Sequence, residues 1–126
     1  LPHNYTNNCV VYTGTHDNDT VNGWISSLNR KDFAFAKKYL NVKRRPDLCE
    51  SLIRTALGCV ADTAIIPIQD YLGLGGEARI NIPSTLGGNW EWRMEHDACT
   101  EELSKRMLEL SLLYGRTTRK DTKKHQ

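Results

Sequence analysis

The stretch Val10-Val11-Tyr12-Thr13-Gly14-Thr15-His16-Asp17-Asn18-Asp19-Thr20 limits the possible folds more than any other part of this chain. Strand propensity is high over residues 9–13, where β-branched and aromatic side chains suit a pleated surface. Gly14 then permits an abrupt change of backbone direction, and the Thr, His, Asp and Asn residues that follow favour turns over strands. One imidazole and two carboxylates are therefore expected at the C-terminal end of a strand, the edge at which α/β barrels present reactive groups.

A second strand is expected in Thr63-Ala64-Ile65-Ile66-Pro67-Ile68, a continuous apolar run of the kind buried on both faces in parallel sheets. Pro67 lacks a ladder donor, so it belongs at the strand end or at a bulge. Helical spacing fills the interval. Trp24, Ile25 and Leu28 mark one short helix, and Asn29 can cap a second that carries Phe33, Ala36, Tyr39 and Leu40. Pro46 suits the first turn of a third, whose Leu48, Leu52, Ile53, Ala56 and Leu57 form one apolar face before Gly58. Strand, helices and strand read as a βαβ unit with a right-handed crossover, which makes the strands parallel and puts their ends on one side.

Beyond this unit, residues 71–89 are glycine-rich and predict a long irregular loop, the type that serves as a lid or binding loop. Thr100, Glu101 and Glu102 suit a helix start, with Leu103, Met107, Leu110, Leu113 and Tyr114 as its apolar face and Gly115 as its stop. The folded unit is thus expected to span residues 1–115, followed by a basic, disordered tail over 116–126.

The chain has 126 residues, 39% hydrophobic and 25% charged, which suits one globular unit. That length is roughly half of what a complete eight-stranded barrel needs. A net charge of +2, with the basic excess gathered in the tail, argues against a nucleic-acid partner. Four cysteines, Cys9, Cys49, Cys59 and Cys99, form no C-x-x-C pair, which predicts reduced thiols and neither a metal centre nor a redox motif. No signal-peptide pattern is present, and no stretch reaches the roughly 18 apolar residues of a membrane span. The expected setting is the cytoplasm, without a membrane partner. A start at Leu1 rather than methionine implies that the true N-terminus lies upstream.

Several residues admit more than one reading. Asp17 and Asp19 can act as nucleophile, base or electrostatic stabiliser with His16 orienting substrate, or they can close an Asx turn and cap the next helix. A calcium loop is disfavoured, because the glycine and distal glutamate of that pattern are missing. The Gly73-Leu74-Gly75-Gly76 loop can cradle an anion, yet it fits no phosphate-loop signature, and close backbone approach is the better reading. Within it, Glu77 and Arg79 can pair, or Glu77 and Asn81 can contact sugar hydroxyls. Trp24, Trp90 and Trp92 can stack on sugar rings, although Trp90 and Trp92 alternate as in an extended segment and core roles are favoured. His3, His96 and His125 have no partner spacing.

Taken in order, several motifs resemble one family. They are Leu1-Pro2-His3-Asn4-Tyr5, residues 10–20 with Gly23-Trp24, Ile65-Ile66-Pro67-Ile68-Gln69-Asp70, Leu72-Gly73-Leu74-Gly75, Glu77-Ala78-Arg79, Gly88-Asn89-Trp90-x-Trp92-Arg93 and Leu113-Tyr114-Gly115-Arg116. The family is the 4-α-glucanotransferases (amylomaltase, or disproportionating enzyme) of glycoside hydrolase family 77. The resemblance implies an α/β fold, the last two βα units of a TIM (β/α)8 barrel, incomplete as an isolated chain. It implies transfer of α-1,4-glucan segments between maltooligosaccharides by a retaining mechanism without a cofactor, and a plastid location if the source is a plant.

A retaining mechanism needs a nucleophile and an acid/base carboxyl about 5 Å apart. In this family they lie on earlier strands, so the missing N-terminal part of the same barrel is an implied partner and the isolated chain is expected to be inactive. By the same resemblance Asp17 matches the third carboxylate, the transition-state stabiliser, His16 matches the adjacent substrate-binding histidine, and Asn81 is a sugar contact. Asp19 matches a motif position with a structural role. Relatives generally show serine at Gly76, methionine at Ile80, glycine at Ser84 and threonine at Val21, departures that bear on the loop more than on Asp17. The rival reading is a non-catalytic carbohydrate-binding module built on the tryptophans.

Overall fold

A computed structural model describes residues 1–117. Its strands are β1 (Val10–Tyr12) and β2 (Thr63–Ile65), and its helices are α1 (Val21–Ser27), α2 (Arg30–Tyr39), α3 (Leu48–Gly58), α4 (Ile68–Tyr71) and α5 (Glu101–Leu113). Short 3-10 turns cover Pro2–Asn4, Arg45–Asp47 and Gly76–Ala78. The strands pair in parallel with Val10 opposite Thr63, Val11 opposite Ala64 and Tyr12 opposite Ile65. The expected βαβ order is present, and both strands end on the side that carries His16 and Asp17.

The caps follow from side-chain chemistry. Thr20, Asn29 and Thr100 each accept a hydrogen bond from the backbone N–H three residues on, satisfying a donor that the first helical turn leaves free. Helix α3 is the spine of the fold. Leu48 and Ile53 are fully buried and join Val21, Ile25, Ala36, Leu57, Tyr71 and Leu110 in one cluster. On another side of α3, Ala56 packs with Ala61 against Val11 of β1. Small residues there let the helix lie close to the sheet.

Four expectations change. The run over residues 63–68 is not one strand buried on both faces: β2 stops at Ile65, Pro67 is the N-cap of α4, and Thr63 and Ile65 are exposed. Proline offers no ladder N–H but suits a helix start, so the apolar run divides there. One face of the sheet, carrying Val11 and Ala64, is covered by helices, whereas Val10, Tyr12, Thr63 and Ile65 on the other are open. Tyr71 belongs to α4 and is buried in the core rather than in the expected loop, while residues 72–89 form that loop, with one 3-10 turn at Gly76–Ala78. Leu113 is exposed rather than part of the apolar face of α5.

The fourth change concerns the boundary after Gly115. The Arg116 guanidinium donates to the carbonyls of Leu57 at 2.8 Å, Cys59 at 2.9 Å and Ala61 at 2.7 Å. Arg116 thereby closes the C-terminal end of α3 and belongs to the folded unit. Of the disordered tail expected over residues 116–126, residues 118–126 lie outside the described residues. Among the described residues, no helix is long and apolar enough to cross a membrane.

Candidate active site

Beyond Tyr12, the chain leaves the sheet through a turn fixed by its own polar side chains. The Asn18 carboxamide oxygen accepts from the Thr15 backbone N–H at 2.8 Å and its hydroxyl at 2.9 Å, and Asn18 N–H donates to the Thr15 carbonyl at 3.1 Å. His16 and Asp17 occupy the middle of this turn, and their side chains remain 55% and 48% exposed. Asp19 is turned inward. One carboxylate oxygen accepts the Thr20 N–H at 2.8 Å, and a Cβ at Gly23 would approach the same oxygen to 2.3 Å. A side chain at residue 23 cannot coexist with that placement, so this glycine is required for close approach.

The two aspartates therefore divide their roles, and neither caps α1. Thr20 does so from its hydroxyl, and the buried carboxylate of Asp70 accepts the Val21 N–H at 2.8 Å while its other oxygen accepts the Thr13 hydroxyl at 2.6 Å. Asp70 thus fixes the end of β1 and the start of α1 from α4. Sequence reasoning gave Asp70 no role, although its place just after the apolar run marks it as a strand-end polar group.

The three residues expected at the site come together. Asn81 donates its side-chain N–H to Asp17 Oδ1 at 2.7 Å and its backbone N–H to the His16 carbonyl at 3.2 Å. His16 Nε2 lies 3.4 Å from the same Asp17 oxygen. Arg79 spans the contact, donating Nη2 to the Asp17 carbonyl and Nε to the Asn81 carbonyl, both at 2.8 Å. Arg79 does not pair with Glu77, which accepts from the Gly75 N–H at 2.8 Å instead. Chemically, the cluster presents one accessible carboxylate, an amide that holds one of its oxygens, and an imidazole that can donate or accept.

A cleft of about 300 Å³ opens beside this cluster, with Tyr12, His16, Asp19, Ile65, Gln69 and Arg79 among its lining residues. The tryptophans differ from expectation. Trp24 and Trp90 are 43% and 56% exposed rather than core, and the Trp90 indole packs on the His16 imidazole with ring centroids 5.1 Å apart. Trp90 is not extended either; its φ is +63°. Among the described residues no group of three His, Cys, Asp or Glu side chains could hold a metal ion, and all four cysteines are free thiols.

Comparison with known proteins gives this geometry its setting. The glycoside hydrolase family 77 model, described as 4-alpha-glucanotransferase, matches residues 1–100. The chain is 47% identical to the chloroplastic/amyloplastic 4-alpha-glucanotransferase of Arabidopsis thaliana and 46% identical to the 4-alpha-glucanotransferase of Clostridium butyricum, over 92% of its own length in each case. It spans 21% and 24% of the length of those relatives. Among solved structures, an amylomaltase from Streptococcus agalactiae in complex with acarbose superposes with a TM-score of 0.88 at 37% identity, over 94% of this chain and 24% of that one. The chain therefore belongs to the 4-alpha-glucanotransferase family, glycoside hydrolase family 77.

Proposed function

We propose that the chain forms the last two βα units of a TIM-like barrel in a 4-alpha-glucanotransferase that moves α-1,4-glucan segments between maltooligosaccharides with retention of configuration. Asp17 is the transition-state stabiliser, and His16 and Asn81 bind glucose hydroxyls. The carrying observation is the exposed Asp17 carboxylate at a strand end, bonded to Asn81 at 2.7 Å with His16 alongside. Cleavage of a glycosidic bond builds positive charge on the ring oxygen and anomeric carbon, and a fixed carboxylate lowers the energy of that state more than of the neutral ground state. Asn81 holds Oδ1, which leaves Oδ2 to meet substrate.

The nucleophile and acid/base belong to the remainder of the barrel, because Asp19, although it lines the cleft, gives Oδ1 to the Thr20 N–H and packs against Gly23 and Gly76, which leaves Asp17 as the open carboxylate of this turn. The relatives include plant enzymes named chloroplastic/amyloplastic and bacterial enzymes, which favours a plastid or the cytoplasm as the location. In the full-length enzyme, Asp17→Asn should lower kcat by roughly a hundredfold or more while a maltooligosaccharide inhibitor still binds, since the loss falls on the transition state. The isolated chain should not disproportionate maltotriose. Wild-type turnover by Asp17→Asn would remove Asp17 from the site, and clear turnover by the isolated chain would remove the need for upstream carboxylates.

A further inference from the structure

Trp90 combines three properties that core packing does not explain. It is 56% exposed, its indole lies 5.1 Å from the His16 ring at a 36° tilt, and its backbone sits at φ +63°. A bulky residue in that left-handed region is a steric outlier, and such outliers persist where surrounding contacts impose them and gather at functional sites. The contacts are present. Trp90 N–H donates to the Ile80 carbonyl at 2.7 Å, its carbonyl accepts from Arg93 at 3.1 Å, and the neighbouring Asn89 side chain holds the Ile82 N–H at 2.9 Å. The backbone is pinned on both sides of the indole.

We propose that Trp90 is a sugar-ring platform that holds one glucosyl unit beside His16 and Asp17, an inference that rests on the reading of the site given above. Glucose carries its hydroxyls at the ring edge and leaves an apolar C–H face, which suits the open surface of an indole. His16 covers part of the ring and supplies a polar group at its edge, so one substrate unit can meet both. Trp24 offers no equivalent, because the cleft it lines reaches Asn18 and Asp19 but neither His16 nor Asp17, and Trp92 is half-buried.

The test uses the full-length enzyme that carries this segment, assayed for maltotriose disproportionation, with melting temperatures recorded for each variant. Trp90→Gly is the informative substitution, since glycine accepts φ +63° without strain while the whole side chain, ring included, is removed. It should raise KM about tenfold while kcat falls by less, because a platform binds ground state and transition state alike. Its melting temperature should be unchanged or higher. Trp90→Phe should restore most of the lost KM. A KM equal to wild type in Trp90→Gly overturns the proposal, and so does a KM that Trp90→Phe fails to recover. Asp17→Asn is assayed in parallel: if it is impaired while Trp90→Gly is not, the platform alone fails, whereas full activity of Asp17→Asn brings down the reading of the site itself.

Discussion

Arg79 shows how much of the site depends on one planar group. Its Nε and Nη2 donate to the Asn81 and Asp17 carbonyls, both at 2.8 Å, and these are the two residues whose side chains meet at 2.7 Å. A lysine at this position keeps the charge but places a single donor centre on a flexible stem, so it cannot hold both carbonyls in a fixed fork. Positioning errors near 1 Å cost on the order of a hundredfold in rate. In the full-length enzyme, Arg79→Lys should therefore lower kcat by roughly ten- to a hundredfold and alter the melting temperature little. Steady-state kinetics checks this, and wild-type kcat in Arg79→Lys would leave the fork with a purely structural role. The Gly23 and Asp19 pair makes the complementary point, since that carboxylate is placed by the absence of a side chain.

At the scale of elements, α4 has only four residues, yet it joins β1 to α1 through Asp70. Truncating a buried carboxylate that serves two donors leaves the Val21 N–H and the Thr13 hydroxyl without partners, each at a desolvation cost. Asp70→Ala should lose about 3 kcal/mol of unfolding free energy, read from urea denaturation. Next to it, burial pushes the Cys49 thiol up to about 11, with the Asp70 charge adding to the effect. An acid whose folded value is raised keeps its proton after the unfolded chain has released one. Stability from this group is therefore complete below about pH 9 and is lost as pH rises through 11. Denaturation curves at pH 8 and above pH 10 measure the difference, and Cys49→Ala should flatten it.

These elements also mark how far the sequence could be read. Helix α3 was legible because Leu48, Ile53, Ala56 and Leu57 repeat at helical spacing, and the caps Asn29 and Thr100 because short polar side chains satisfy first-turn donors. Helix α4 was hidden, since Ile65-Ile66-Pro67-Ile68 has the composition of a buried strand and only tertiary packing divides it. The bond from Asn81 to Asp17 spans 64 positions, and periodicity carries no signal over such a distance. Those site residues came from motif resemblance. The left-handed backbone of Trp90 had no sequence signal, because the polar and aromatic alternation over residues 90–92 imitates a strand.

For the whole molecule, the sheet is the informative part. Among the described residues two parallel strands form it, each paired along one edge, and its uncovered face carries Val10, Tyr12, Thr63 and Ile65. Apolar side chains on an open face beside unpaired strand edges invite association, and proteins normally cover or close such edges. The chain spans only 21–24% of the length of the relatives above, and under the function proposed above the remaining strands of a barrel would cover both. That reading gives Val10 opposite behaviour in two settings. In the isolated chain Val10 is 45% exposed, so Val10→Lys should leave the fold intact and reduce self-association, followed by light scattering. Within the full-length enzyme the same lysine would enter a packed barrel interior without a partner, at a cost of several kcal/mol, and its melting temperature should fall by about 5 °C or more. A full-length Val10→Lys enzyme that melts like wild type would mean that this face stays open to water, and the barrel assignment of the two strands would fail with it.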